Sequence, residues 1–206
     1  NFKLTGNDLS KSFTRNKNIF SGINLALSNG ETIAVTGPNG SGKTTLLKIL
    51  SGVLRPTKGN VEFKIDEKII EKTNYYKHLG YVSPYLNLYE EFTPLEHLKI
   101  FSKIRGNTFN YDKGLEHLKM FKLEKKRNEP IRTFSSGMKQ RFKYILALQN
   151  DFEIFFLDEP MTNLDADGIA VVTELIKVNQ SKNGATIIAT NDDREKELCQ
   201  KIIAIK

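Results

Sequence analysis

Val35–Leu46 reads VTGPNGSGKTTL, a match to G-x-x-x-x-G-K-[ST] with Gly37, Gly42, Lys43 and Thr44 in the fixed positions. The apolar run ETIAV (Glu31–Val35) leads into it and the helix-compatible LLKILSGVL follows, so the stretch sits between a strand and a helix. That context makes it a phosphate cradle. Gly40 and Gly42 supply backbone freedom that lets successive N–H groups turn toward an anion. Lys43 brings a positive charge for the β and γ phosphates, and the Thr44 hydroxyl is a candidate ligand for Mg²⁺. The candidate nucleotide-binding set is Gly37, Pro38, Asn39, Gly40, Ser41, Gly42, Lys43, Thr44 and Thr45.

Outward from this loop, strand-like runs occur at Ile19–Leu27, Thr32–Val35, Leu79–Val82, Ile154–Leu157, Thr186–Ala189 and Ile202–Ile205. TIAV, IFFL and TIIA are continuously apolar, as expected of parallel strands covered on both faces. Helical periodicity falls between them, at Lys43–Val53, Pro94–Lys103, Asp112–Lys122, Gly137–Gln149 and Asp165–Asn179. The alternation predicts an α/β sheet with right-handed crossovers. From Thr93 to about Leu148 helices follow one another without a convincing strand, which predicts an inserted helical subdomain. Thr93 before Pro94 and Glu96 reads as its first N-cap.

A phosphate loop alone leaves kinases, GTPases and ATPases open. IFFLDEP narrows the choice by ending an apolar run in Asp158, which can reach Mg²⁺ directly or through water. Glu159, one residue on, is the candidate catalytic base for the attacking water. A third element, FSSGMKQR (Phe134–Arg141), opens a long helix with Ser135, Ser136, Gly137 and Met138. Hydroxyls and free N–H groups at a helix start suit an anion, and a plain N-cap is the simpler use of the same residues. Two anion sites far apart in sequence suggest that each grips one triphosphate from a different subunit.

The 206 residues suffice for one core and show no internal repeat. The chain opens on Asn1 rather than Met, so a short preceding piece is expected. No run approaches the roughly 18 to 20 apolar residues of a membrane span, and Cys199 stands alone, which excludes a disulfide framework and reads as cytosolic. A net charge of +7 suits nucleic acid, anionic lipid or a nucleotide alike and does not choose among them. His78, His97 and His117 have no metal-ligand spacing and read as surface or packing residues.

Taken together these residues resemble the ATP-binding cassette (ABC) family over nearly the whole chain. GPNGSGKT resembles its Walker A, FSSGM stands where its LSGGQ signature falls, IFFLDEP resembles Walker B, and TNLD (Thr162–Asp165) resembles its D-loop. The resemblance implies an α/β P-loop NTPase: a mainly parallel core sheet, an antiparallel β subdomain near the N-terminus and an inserted α-helical subdomain at about 93–148 of a single 1–206 domain. It also gives Phe13 in KSFTRN the place of the aromatic that stacks on adenine, with a core phenylalanine as the rival reading.

Two positions depart from the family pattern. Pro84 falls where the Q-loop glutamine usually stands and has no side-chain oxygen; Asn191 takes the place of the switch histidine and carries no proton near neutral pH. The resemblance implies an ATP-hydrolysing subunit, with Mg²⁺ as cofactor, that powers separate membrane-spanning transporter subunits through dimerisation with a second cassette, and the two departures beside an intact Glu159 lower its expected rate. It places the chain in the cytoplasm, peripheral on the inner face of the cell membrane, and the short single cassette with SSGMKQR looks similar to the ATPases of ABC-2-type or haem-export systems. The alternatives are a weakly hydrolysing or regulatory cassette in a heterodimer, an ordinary P-loop kinase or GTPase, and a soluble cassette protein acting on ribosomes or DNA. Nucleic acid is not expected as a partner.

Overall fold

The structure is a computed structural model that describes residues 1–14 and 17–205. In chain order its elements are β1 (Phe2–Thr14), β2 (Lys17–Ser28), β3 (Thr32–Thr36), α1 (Lys43–Leu50), β4 (Lys58–Ile65), β5 (Lys68–Ile69), β6 (Leu79–Val82), α2 (Pro94–Ile104), α3 (Tyr111–Met120), α4 (Ser136–Ala147), β7 (Ile154–Asp158), α5 (Ala166–Ser181), β8 (Ala185–Ala189), α6 (Asp193–Lys196) and β9 (Lys201–Ala204). They form two compact units, one of Asn1–Tyr81, Phe152–Glu159 and Ile176–Lys206, the other of Val82–Asp151 and Pro160–Leu175.

In the first unit the apolar runs become the centre of a five-stranded sheet ordered β6-β7-β8-β3-β9. Every residue of IFFLD and ATIIA is buried, as the absence of alternation demands of strands covered on both faces. The pairings β3 with β8, β3 with β9 and β7 with β8 are parallel. Their register decides where chemistry is possible: Val35 lies opposite Ala189, and Ala189 opposite Asp158. The loops after three strands therefore emerge together at the carboxyl edge, the usual ligand-binding edge of an open α/β sheet.

A second, antiparallel sheet ordered β2-β1-β4-β5 matches the subdomain implied by the family resemblance. Only β2 of this sheet was among the strand runs expected from sequence. Along β1 the buried positions Phe2, Leu4 and Leu9 lose the two-residue period between Gly6 and Leu9, where the pairing with β2 shifts register and Asp8 takes a φ of 48°. A bulge of this kind hides a strand from alternation. One hydrophobic cluster joins Leu4, Leu27 and Phe63 of this sheet to Val35, Phe156 and Ile187 of the parallel sheet and to Leu46, Leu47 and Leu50 of α1. Phe63, fully buried with the Tyr75 ring edge-on at 5.4 Å, anchors it.

The second unit carries α2, α3 and α4. Thr93 and Glu96 close a reciprocal capping box on α2, with Pro94 in its first turn. Asn110 caps α3 and Ser135 caps α4. Leu98, Leu118, Phe121, Ile131, Phe142 and Tyr144 are buried, and the Phe121 and Tyr144 rings stack at 5.7 Å. The Tyr144 hydroxyl donates to the Pro160 carbonyl at 2.8 Å, so this deeply buried phenol is satisfied.

Candidate functional site

At the end of β3 the backbone takes left-handed angles at Gly37 (φ 150°), Gly40 (83°) and Gly42 (100°). At Gly37 and Gly42 side chains are excluded for steric as well as conformational reasons, whereas Gly40 faces open space. A Cβ on Gly37 would lie 2.5 Å from the Ile205 carbonyl oxygen, and one on Gly42 would lie 2.4 Å from Ile19 Cγ2. The loop folds around the Lys43 ammonium, which is buried and donates to the carbonyls of Gly37 (2.8 Å) and Pro38 (3.2 Å). Gly42 as N-cap gives α1 no side-chain acceptor for its first amides. Ser41 Oγ is buried without a hydrogen-bond partner among the described residues. Free helix-start amides, an orphaned hydroxyl and a trapped ammonium make an anion cradle.

Thr44, in the first turn of α1, donates its hydroxyl to the Asp158 carboxylate, with oxygens at 3.0 and 2.9 Å. Asp158 is buried at the end of β7. Glu159 follows in the left-handed region (φ 46°), its N–H fixed on the Ala189 carbonyl at 2.9 Å. Asn191, just past β8, closes the other side. Its Oδ1 accepts from the Gly37 N–H and its Nδ2 donates to Asn39 Oδ1, both at 3.3 Å. Asn191 thus straps the loop through two residues. Tyr81 lies on β6, next to β7; its ring stacks on Phe156 with centroids 6.2 Å apart. Burial, and next the charge of Asp158, push its phenol pKa up.

Phe13 is 62% exposed near the end of β1, with Lys11 Nζ 5.1 Å from its ring centroid, so it is not a core residue. Cys199 is half-buried and its thiol is pushed up to about 12, chiefly by burial, which leaves it unreactive at neutral pH.

The second unit holds the other expected positions. Ser135 accepts from the Met138 N–H at 3.2 Å as N-cap of α4, while Ser136 stays exposed and Gly137 and Met138 are half-buried. A Cβ on Gly137 would lie 2.9 Å from the Asn163 carbonyl oxygen, so the TNLD turn passes directly over the start of α4. Asp165 accepts from the Gly168 N–H at 2.9 Å and pairs with Arg141; those hydrogen bonds hold its carboxyl below the usual range. Pro84 contributes its carbonyl, which receives the buried Lys143 ammonium from α4. Burial lowers the pKa of that lysine.

Three features escape a reading of sequence motifs: the Asn39–Asn191 bridge, the Lys143–Pro84 bond and the placement of Tyr81. Asn191 and Pro84 stand out in sequence as departures from the family pattern, but their partners lie 152 and 59 residues away. Nothing local encodes such partners.

The hard oxygens of Thr44 and Asp158 could hold a magnesium ion. Among the described residues no group of three or more histidine, cysteine or acidic side chains could hold a metal alone. Mg²⁺ commonly binds through one or two protein oxygens together with substrate phosphates, which fits this pair. A parallel sheet with a Lys43-centred anion loop and an Asp-Glu pair at the next-but-one strand defines a P-loop nucleoside triphosphatase.

Comparison with known proteins narrows the class. The family model described as "ABC transporter" matches residues 20–162. The chain is 33% identical to the cytochrome c biogenesis ATP-binding export protein CcmA of Methylococcus capsulatus over 84% of each protein. It is 32% identical to the lipoprotein-releasing system ATP-binding protein LolD of Legionella pneumophila, over 98% of this chain and 94% of that one. Among solved structures, a dimeric post-hydrolysis state of the ATP-binding cassette MJ0796 bound to ADP and Pi superposes with a TM-score of 0.84 at 27% identity, covering 98% of this chain and 94% of that one. The chain belongs to the ABC transporter family, as an ATP-binding subunit with ATPase activity. No helix among the described residues is long and apolar enough to cross a membrane.

Proposed function

We propose that residues 1–206 act as one cassette of a paired ATP motor, with a helical subdomain at about 93–148, docked on the cytoplasmic face of membrane-spanning export subunits. The observation that carries the reading is the Thr44–Asp158 contact beside the Lys43-filled loop, because it joins the two halves of a phosphate and metal site from opposite ends of the chain. The residues from Gly37 to Thr45 hold the triphosphate, and Phe13 offers an exposed face for adenine. Thr44 and Asp158 hold Mg²⁺, which when bound neutralises charge on the β and γ phosphates. Glu159 takes the proton of the attacking water. Its left-handed backbone is strained by roughly 1–2 kcal/mol in a non-glycine residue, a cost typical of positions kept for function.

Ser135, Ser136, Gly137 and Met138 complete the site of a second cassette, and Asp165 lies at the junction. Support for pairing comes from the dimeric state of the MJ0796 cassette. Support for export comes from the names of relatives such as CcmA. Pro84 and Asn191 replace two helper side chains, which favours a slow site.

ATP turnover by the purified chain, measured with Mg²⁺ over a range of protein concentrations, tests the reading. Turnover should rise faster than linearly with protein, and Glu159→Gln should lower it by about 10²–10⁴-fold. Bound ATP without turnover would instead assign the chain to a heterodimer whose partner supplies the faster site, as the substitutions at Pro84 and Asn191 suggest.

A further inference from the structure

Tyr81 carries a polar atom that the fold leaves unused. Its hydroxyl oxygen is buried, yet among the described residues it has no hydrogen-bond partner. In the second unit the buried phenol of Tyr144 donates to the Pro160 carbonyl, so an unpaired tyrosine is not the rule among the described residues. A buried hydroxyl left without a partner is destabilising relative to its solvated state, and phenylalanine would fill the same space without that cost.

The location of the hydroxyl gives the cost a purpose. Tyr81 belongs to β6, the edge strand beside β7, and its ring lies flat on Phe156, two residues before Asp158. The phenol feels the Asp158 charge. Asp158 already accepts the Thr44 hydroxyl. We infer that Tyr81 is a positioning residue for the cation site: its hydroxyl holds a water of the magnesium shell on the β6 side of Asp158 when the nucleotide is bound. This rests on the proposed role of Asp158 and Thr44 as the metal-holding pair. A hydroxyl can donate to one neighbour and accept from another, which suits a water shared with a carboxylate.

Tyr81→Phe removes that one oxygen and leaves the stacking. Three quantities are measured on wild type and variant: unfolding temperature without nucleotide, ATP affinity with EDTA, and ATP affinity over a magnesium titration. The variant should melt at the same or a higher temperature, bind ATP equally in EDTA, and need about tenfold more magnesium to reach its high-affinity state, the scale of effect seen for groups that orient metal ligands. An unchanged magnesium requirement, or a lower melting temperature, would overturn the inference, the latter by exposing an ordinary structural bond. Failure of wild type itself to gain ATP affinity from magnesium would count against the metal pair, and so against the proposed function from which this inference starts.

Discussion

At the scale of single residues the site is largely self-satisfied before any ligand arrives. Lys43 rests on two loop carbonyls, Thr44 on Asp158, and Asn191 on Gly37 and Asn39. Such contacts hold the loop in its anion-binding shape, so little ordering is left for the nucleotide to impose. Asn191 is the informative member, because its amide accepts and donates as a neutral imidazole can, but does so without titrating. Asn191→Ala removes two neutral hydrogen bonds of about 0.5–1.5 kcal/mol each. Their loss should weaken ATP binding by roughly threefold to tenfold and leave the unfolding temperature nearly unchanged, since both bonds are exposed to solvent. Asn191→Asp should weaken it further, because a carboxylate cannot donate to Asn39 and repels phosphate. Equal affinities for the three proteins in a fluorescent-nucleotide titration would show that the strap does not shape the loop.

At the scale of elements the start of α4 serves two ends with one side chain. Ser135 caps the helix through the Met138 N–H, and the same hydroxyl is the proposed contact to a second cassette's phosphate. Aspartate caps a helix as well as serine does, but its charge opposes a triphosphate. Ser135→Asp should therefore keep its unfolding temperature while losing turnover at every protein concentration; a matching loss of both in thermal melts and ATPase assays would reduce Ser135 to a cap. Elements of this kind were legible in sequence because their signals are local: TIAV, IFFL and TIIA run without alternation, and Thr93-Pro94 with Glu96 marks a helix start. The strand β1 carries no such signal, since register shifts near Gly6 and Leu9 break the period on which it depends, and β4 offers only the short alternation of Val61 and Phe63 within a polar stretch. The site divides in the same way. Contiguous motifs gave the phosphate loop and the Asp158-Glu159 pair, whereas Tyr81 and Lys143 read as ordinary strand and helix residues because their meaning lies in partners that only folding brings near.

At the scale of the whole molecule, the two units respond differently to acid. Among the described residues the histidines whose pKa the fold shifts, both downward, are His97 and His117, and both lie in the second unit. His97 is fully buried among the rings of Tyr89, Phe92, Phe101 and Phe142. Its Nε2 accepts the Tyr89 N–H at 3.0 Å and its Nδ1 faces the Thr93 carbonyl at 3.1 Å, so the proton sits on Nδ1 and the ring is neutral. Burial lowers its pKa, against opposing contributions from the Thr93 hydrogen bond and the Glu96 charge. For His117 burial and Lys113 lower the pKa and Glu116 opposes them; its Nδ1 accepts from the Gln149 amide. The unfolded chain, with histidines near 6.5, takes up these protons first. Stability is therefore complete above about 6.5 and falls as pH drops through that value toward the folded pKa. Protonating His97 would also turn an N–H against the Tyr89 N–H and free the Tyr89–Thr93 segment from α2. Hydrogen exchange at pH 5.5, corrected for intrinsic rate, should show protection lost in α2 and α4 while β3, β7 and β8 keep theirs. His97→Gln offers an acceptor and a donor without a titratable proton, so it should flatten the acid response of α2 even if it lowers stability at neutral pH. Uniform loss of protection across both units, or an acid response undiminished in the variant, would place the sensitivity elsewhere than in these buried rings.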